Sequence, residues 1–184
     1  MKLALSGAHG TGKTTLVESV KKTLAATHKI ETCREVPRVI GDIADDREFF
    51  RRGHNTLLRQ CTIFLYQVIE DHMVESSAEV VISDRTMVDH LAYTEVLFPE
   101  FKETTEYKVV SRAVGVWLQT YDQVVKVPIE FTVEDDGTRE ADLAFQRSVD
   151  EKIDELYLGF GVKPSSVTGS VSERTDQVVG LIGT

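Results

Sequence analysis

The chain has 184 residues, of which 41% are hydrophobic and 28% are charged, and its 30 acidic and 21 basic side chains give a formal net charge of -9. A chain of this size and composition is expected to form one globular domain whose core needs no disulfide or metal. The acidic balance disfavours nucleic acid or anionic lipid as the main partner, because their phosphates would be repelled outside a local basic patch. A small solute is the expected ligand.

The two cysteines indicate a reducing compartment. Cys33 and Cys61 lie in apolar contexts without a CxxC spacing, so neither a disulfide framework nor a zinc site is predicted. The apolar stretch at residues 1–6 is too short for a secretory signal, and no run of about 18 apolar residues predicts a membrane span. We therefore expect a cytoplasmic protein without a membrane partner.

Short apolar runs alternate with helical patterns along the chain. Strands are predicted at residues 3–6, 30–34, 79–83, within 123–131 and near 167. Helices are predicted at 14–26, around 89–97, at 104–120, through 149–156 and from 173. Another helix follows the polar segment 44–55, with one apolar face formed by Leu57, Cys61, Phe64, Leu65 and Val68. This alternation predicts an α/β domain with a mostly parallel sheet covered by helices on both faces.

Ligands of such sheets bind beyond the carboxyl ends of the strands, where this chain carries a phosphate-binding motif. Residues 7–14, G-A-H-G-T-G-K-T, match G-x-x-x-x-G-K-[ST] between a predicted strand and a predicted helix. Glycines let the backbone amides and the helix dipole point at a phosphate, and Lys13 adds a positive charge beside the β and γ oxygens. The motif predicts ATP contacts from Gly7, His9, Gly10, Thr11, Gly12, Lys13, Thr14 and Thr15.

Thr14 and Asp84 are the predicted ligands of Mg²⁺. The hydroxyl of Thr14 follows the loop lysine, and Asp84 ends the apolar strand V-V-I-S, where a carboxylate of a phosphate-loop protein reaches the metal. An aspartate after a strand is commonly a cap or turn residue, but the upstream phosphate loop favours the metal role.

Several other segments resemble known kinases. Residues 83–93, S-D-R-T-M-V-D-H-L-A-Y, resemble the D-R-x-x-x-x-x-x-A-Y segment of thymidylate and deoxynucleoside kinases. Residues 121–125, residues 134–139 and Arg147 resemble the small AAA-like P-loop kinases that include the ribosylnicotinamide kinase domain of NadR. The E-V-P-R sequence at 35–38 is similar to the E-x-x-R after the second strand of that group, and residues 169–174 look like its final strand and loop.

The resemblance implies a single P-loop kinase domain over residues 1–184, with a parallel five-stranded sheet and a mobile lid. An acceptor-binding helical region would span about residues 38–75 and the lid about residues 132–150. Members of the group phosphorylate nucleosides, nucleotides or related small molecules with ATP and Mg²⁺. Ser170 and Arg174 would border the adenine. Segment 44–55 lacks the longer R-E-P-G-G run of thymidylate kinases, which argues against thymidine monophosphate as the acceptor.

Phosphoryl transfer requires positive charge around the transferred group, and arginine binds phosphate oxygens in pairs. The candidates are Arg38 and Arg85 after strand ends, with Arg139 and Arg147 in the lid. Glu35 is the candidate base for a hydroxyl acceptor, whereas a phosphate acceptor needs no base.

Further candidates for acceptor binding lie in and before the helix that follows residue 55. They combine cations with base-edge donors and acceptors, and they are Arg51, Arg52, Arg59, Gln60, Tyr66 and Gln67. His72 and His90, with their acidic neighbours Asp71 and Asp89, show no metal-ligand spacing and are expected to lie on the surface.

The leading hypothesis is therefore a kinase that uses ATP and Mg²⁺ to phosphorylate a nucleoside, a nucleoside monophosphate or a related small polar acceptor. One alternative is a kinase of polynucleotides or of a modified DNA base, which the net charge disfavours. A second alternative is a regulatory ATPase, and the chain could also form a homodimer.

Overall fold

The computed structural model describes residues 1–34, 36, 39–40, 57–75, 77–130 and 140–182. Strands and helices alternate along these ranges, as the sequence pattern predicts. In chain order they are β1 (Lys2–Ser6), α1 (Lys13–Leu24), β2 (Ile30–Cys33), α2 (Leu57–Glu75), β3 (Val80–Asp84), α3 (Met87–Leu97), a 3-10 helix (Pro99–Glu103), α4 (Thr105–Leu118), β4 (Gln123–Lys126), α5 (Glu140–Gly159), β5 (Ser165–Ser166) and α6 (Val171–Ile182).

The five strands form one parallel sheet in the order β2-β3-β1-β4-β5, which confirms the predicted fold class. β1 is central and every residue in it is buried. Its register places Leu5 opposite Asp84 of β3 on one side and Val125 of β4 on the other. The segments that follow β1 and β3 therefore leave the sheet at the same edge.

Apolar clusters cover both faces of the sheet. Leu3 and Leu5 pack with residues of α1 and α6, while Ala4 belongs to the cluster formed with α3, α4 and α5. This division follows from the alternation of side chains along a strand. Within the described ranges no helix combines the length and the apolar character that a membrane crossing requires.

Polar residues of α2 and α3 depart from the expected pattern. His72 is exposed, but His90, Asp71 and Asp89 are buried, so the expectation that all four lie on the surface is wrong for three of them. Among the predicted apolar residues of α2, Phe64 is buried whereas Leu65 is 69% exposed. The apolar stripe of this helix thus extends from the core to the surface.

Asp71 is the centre of a polar network inside the core. One carboxylate oxygen accepts hydrogen bonds from Gln67 at 2.8 Å and Ser83 at 2.9 Å. The other accepts from Trp117 at 2.9 Å and Tyr121 at 2.5 Å. Lys2 lies 3.5 Å from the same carboxylate and 4.5–4.6 Å from the centres of the two aromatic rings. Five elements or loops are thereby joined at one buried charge.

Loss of this charge should destabilise the protein strongly. We expect Asp71→Ala to lower the free energy of unfolding by about 3 kcal/mol or more, because buried donors and the Lys2 ammonium lose their acceptor. Denaturant unfolding of this variant checks the effect, with Asp176→Ala at an exposed position of α6 as a matched control. Equal stability of the two variants would contradict the structural role of Asp71.

Candidate functional site

Residues 7–12 form a tight loop between β1 and α1 whose shape requires glycine, and Lys13 and Thr14 begin α1. Gly10 and Gly12 have φ values of 74° and 87°, in the left-handed region. A Cβ on Gly7 would lie 2.4 Å from the carbonyl oxygen of Val127. Gly12 begins α1 without a capping side chain, so the first-turn amides of the helix face the loop. This is the geometry in which backbone amides surround an anion.

The loop lysine is folded into this turn. Lys13 is 5% exposed, and its ammonium donates to the Ala8 carbonyl at 2.5 Å and to the Thr11 hydroxyl at 3.2 Å. Thr11 in turn donates to the Ala8 carbonyl at 3.1 Å. A full positive charge is thus held beside the loop amides, as phosphate binding requires.

The structure brings Thr14 and Asp84 together as predicted. The Thr14 hydroxyl donates to Oδ2 of Asp84 at 2.6 Å, and the carboxylate is 4% exposed. A hydroxyl and a carboxylate are hard oxygen ligands suited to Mg²⁺, which keeps several waters and phosphate oxygens as its other ligands. Among the described residues no group of three or more His, Cys, Asp or Glu side chains is arranged to hold a metal. A hydroxyl beside a carboxylate thus fits a magnesium ion whose other ligands are waters and phosphate oxygens.

Asp89 anchors the beginning of the loop. Its Oδ1 accepts the backbone amide of Gly7 at 2.6 Å, and its Oδ2 accepts the amide and the hydroxyl of Thr86, each at 2.7 Å. Thr86 caps α3, and together the two residues form a reciprocal capping box. One buried carboxylate thus connects the start of α3 to the first residue of the phosphate loop.

Arg85 and a group of rings lie beside the loop. Arg85 is 6% exposed, donates to the Gly7 carbonyl at 3.2 Å, and places its guanidinium 5.3 Å from the centre of the Tyr93 ring. The Tyr93 hydroxyl contacts the His9 amide at 2.8 Å and the His9 Nδ1 at 2.9 Å. Phe145 of α5 completes the group, 5.9 Å from the His9 ring and 6.0 Å from the Tyr93 ring. We call His9, Arg85, Tyr93 and Phe145 the aromatic cluster.

His9 is held by Tyr93 of α3 and by Gln146 of α5. Burial raises the pKa of Tyr93, so its hydroxyl stays protonated while it accepts the hydrogen bond of the His9 amide. Gln146, the neighbour of Phe145 on α5, donates to the His9 carbonyl at 2.5 Å. The helix that follows segment 131–139 is therefore attached directly to the phosphate loop.

Arg174 supports the loop from the opposite end of the chain. Its guanidinium donates to the Thr11 carbonyl at 3.0 Å and to the Gly169 carbonyl at 2.8 Å, and it pairs with Glu130 at 2.5 Å. The Gly169 amide and Arg174 lower the pKa of Glu130 by hydrogen bonding to its carboxylate. The predicted cofactor residue Arg174 thus lies against the phosphate loop.

Three other residues predicted on the ATP side have no described hydrogen bond to the phosphate loop, and these are Ser170, Arg147 and Thr15. Ser170 forms a capping pair with Glu173 at the start of α6. Arg147 is exposed on α5 and, with Ile129, Glu130 and Asp150, lines a cavity of about 300 Å³. Thr15 is exposed in the first turn of α1. The catalytic role of Arg147 stays a prediction.

The predicted acceptor residues of α2 are largely internal. Gln67 is fully buried, donates to Asp71 and contacts His90 at 3.1 Å, so an acceptor contact would require these bonds to break. Gln60 is 4% exposed and accepts from Thr94 at 3.3 Å. Tyr66 packs against the small cluster of Val36, Ile40 and Ile63. The remaining predicted residues lie outside the described part of the chain, and these are Glu35, Arg38, Arg51, Arg52 and Arg139. Of Arg59 only the backbone is described.

Several residues of the site, Phe145 among them, were not predicted from the sequence. A local pattern could have identified Asp89, because T-x-x-D before an apolar run is typical of a helix cap. Tyr93 lies in the segment that resembles kinases, but its contact with His9 spans 84 positions. Gln146 bonds the His9 carbonyl over 137 positions, and Glu130 pairs with Arg174 over 44 positions. No local pattern identifies such partners.

Comparison with known proteins agrees with this geometry. The family model of the AAA domain matches residues 2–174. No curated protein matches the sequence. Among solved structures, thymidylate kinase from Ehrlichia chaffeensis is 13% identical with a TM-score of 0.67, and the alignment covers 99% of this chain and 98% of that one.

Two other solved structures are similar over the same range. Deoxyadenosine kinase from M. mycoides, with dCMP and dCDP bound, is 16% identical with a TM-score of 0.68, and 100% of this chain and 99% of that chain are covered. NadR protein in complex with NR is 14% identical with a TM-score of 0.73, and 98% of this chain matches 49% of that one. At these identities the matches show the fold, and they confirm the predicted resemblance at that level.

Removal of the Asp89 carboxylate should disturb the phosphate loop specifically. We expect Asp89→Ala to lower ATP affinity at least about tenfold and stability by about 2 kcal/mol, because the Gly7 amide and the α3 cap both lose their acceptor. Asp89→Asn, which keeps one acceptor oxygen, should lose less. Titration calorimetry and thermal unfolding measure both effects.

Thr104→Ala is the matched control, because Thr104 caps α4 away from the loop. It should lower stability without changing ATP affinity. An unchanged ATP affinity in Asp89→Ala would show that the carboxylate only caps α3.

Proposed function

Since the chain belongs to the AAA-domain family, whose pattern spans residues 2–174, we propose that it is a kinase that transfers the γ-phosphoryl group of ATP to a small polar acceptor. Nucleosides, nucleoside monophosphates and related molecules are the proposed acceptor class. The observation that carries the proposal is the placement of Thr14 and Asp84, in contact at 2.6 Å, beside a complete phosphate loop with its lysine inside.

The donor would lie along the phosphate loop. The loop amides and Lys13 bind its β and γ oxygens, and they neutralise charge that develops during transfer. Thr14 and Asp84 would hold Mg²⁺, which would supply positive charge to stabilise the transferred phosphoryl group. Arg174 keeps the loop in place through the Thr11 carbonyl.

The acceptor would lie beside the aromatic cluster. Tyr93 and Phe145 are partly exposed and offer ring faces on which a planar base can stack. The Arg85 guanidinium lies within the same group, next to the first residue of the loop, and supplies positive charge toward the transferred phosphoryl. This position faces the donor tail, and in-line transfer requires that arrangement.

The remaining sequence predictions extend this site. Arg139 and Arg147 are proposed to stabilise the transition state from the lid, and Arg38, Arg51, Arg52 and Arg59 are proposed to bind an anionic acceptor. Glu35 is the proposed base if the acceptor atom is a hydroxyl.

An acceptor screen tests the proposal directly. Release of ADP is measured with ATP, Mg²⁺ and a panel of nucleosides and nucleoside monophosphates, and acceptor-dependent ADP release is expected. Turnover without any acceptor would indicate the ATPase alternative. Activity found only with polynucleotide, and lost steeply between low and moderate salt, would indicate the nucleic-acid alternative.

Lys13→Ala should lower phosphoryl transfer by about a thousandfold or more, because the loop loses its only full charge beside the γ-phosphate. Lys22→Ala, on the exposed face of the same helix, is the control and should retain activity. Circular dichroism of both variants checks that the fold is kept. Near-normal transfer in Lys13→Ala would refute the donor site.

Asp84→Asn tests the metal role separately. The variant should require at least about tenfold more Mg²⁺ for half-maximal turnover, because a neutral amide is a weaker ligand than a carboxylate. Magnesium titrations of turnover measure the shift, and Asp176→Asn on α6 serves as the control. An unchanged magnesium requirement would remove Asp84 from the metal site.

A further inference from the structure

Two carbonyl groups of the phosphate loop are held by side chains from outside the loop. The His9 carbonyl accepts a hydrogen bond from Gln146 of α5 at 2.5 Å, and the Thr11 carbonyl accepts one from Arg174 of α6 at 3.0 Å. Both donors are buried, with exposures of 6% and 3%. Each donor is more than 130 positions away along the chain, so neither contact follows from the local turn.

Each of these contacts also fixes the direction of a backbone amide. A peptide group is planar, and in the trans form its carbonyl and its amide point in opposite directions. All described peptide bonds are trans. The His9 carbonyl shares its peptide group with the Gly10 amide, and the Thr11 carbonyl shares its group with the Gly12 amide. The donors on α5 and α6 thus turn these two amides away from the helices that carry the donors.

The backbone of the loop makes the same amides converge. Gly10 and Gly12 have left-handed φ values of 74° and 87°, whereas Thr11 between them has a negative φ. Alternation of this kind directs successive amides to one concave side, where they can bind an anion. Within the described ranges the amides of Gly10 and Gly12 donate to no protein acceptor. They are therefore available to phosphate oxygens.

The opposite side of the loop faces the two donors. A Cβ built on Gly10 would lie 3.1 Å from Nε2 of Gln146, and one built on Gly12 would lie 4.0 Å from the Arg174 guanidinium. The space beside each glycine is thus taken by the donor that holds the preceding carbonyl. The loop has an inner side of converging amides and an outer side held by Gln146 and Arg174.

We propose that Gln146 is a positioning residue for phosphoryl transfer, which orients the Gly10 amide toward the phosphate tail of ATP by holding the His9 carbonyl. The inference rests on the proposed function, because it takes the loop as the donor site. Of the two amides, that of Gly10 adjoins the aromatic cluster, since His9 supplies the other half of its peptide group. Charge that develops during transfer would meet a donor that is already in place.

Gln146→Met tests this role, because methionine has nearly the length and shape of glutamine but donates no hydrogen bond. Binding of tripolyphosphate and of a nonhydrolysable ATP analogue, each with Mg²⁺, is measured by titration calorimetry. We expect the variant to weaken both ligands by the same factor of about ten, because the lost contact is to phosphate oxygens and not to the base. Acceptor-dependent turnover should fall by at least about tenfold.

Two other variants accompany this measurement. Gln119→Met, at an exposed position that follows α4, is the matched control and should bind both ligands as the wild-type chain does. Gln146→Asn, whose amide is one methylene shorter and does not reach the His9 carbonyl, should show the same loss as Gln146→Met. Thermal unfolding checks the fold, and we expect the melting temperature of each variant to stay within about 5 °C of the wild-type value.

The orientation of the Gly10 amide can be followed directly by NMR of the ¹⁵N-labelled chain. Its proton signal should move downfield when tripolyphosphate binds to the wild-type chain, and this movement should be at least halved in Gln146→Met.

Equal affinities of Gln146→Met and Gln119→Met for tripolyphosphate would overturn the role of Gln146. A weaker affinity for the ATP analogue alone would also overturn it, because the contact would then concern the base. If the wild-type chain bound neither ligand, the donor site of the proposed function would itself be refuted.

Discussion

The parallel pairing of β1 with β3 is the constraint on which the candidate site depends. Its register sets Leu5 opposite Asp84, so the phosphate loop and the Asp84–Arg85 segment begin at the same level of the sheet. A shift of one residue would turn Asp84 to the other face and separate it from Thr14. The hydrogen bonds from Gly7 to Asp89 and from Arg85 to Gly7 then fix the loop relative to β3. The two predicted metal ligands meet because the sheet holds them.

The polar network behind the site contributes to this precision. Ser83 precedes Asp84 and donates to Asp71, which also accepts from Tyr121 near the start of β4. Burial and the Asp71 carboxylate raise the pKa of Tyr121 well above its ordinary value, so the phenol stays a donor. Buried charges of this kind seldom add stability over an apolar core, but a fully bonded network specifies one arrangement of its members. The position of β3 relative to α2 and α4 is thereby defined on the side away from the phosphate loop.

Whether a feature of the fold or of the candidate site could be predicted depends on how far apart in sequence the interacting residues are. Lys13 and Thr14 belong to a contiguous motif, and the apolar run before Asp84 marks a strand end. Local patterns therefore indicated where these three residues lie, at the start of α1 and at the end of β3. The amphipathic pattern also located α2, but it could not show that the inner side of the helix would be polar. Gln67 and Asp71 are buried because partners from β3, α3 and α4 surround them, and those partners are distant in sequence. Surface placement of His90 was wrong for the same reason.

Arg85 has a strained backbone conformation, and it is also the residue proposed to supply positive charge on the acceptor side. Its φ of 103° lies in the left-handed region, which costs a residue with a side chain about 1–3 kcal/mol. A glycine would avoid this cost, but it would lack the interactions that the arginine side chain makes. Its guanidinium bonds the Gly7 carbonyl and stacks on Tyr93, which brings a fixed positive charge beside the phosphate loop. Because the strained backbone directs this charge before any ligand binds, less reorganisation would be needed in the proposed phosphoryl transfer.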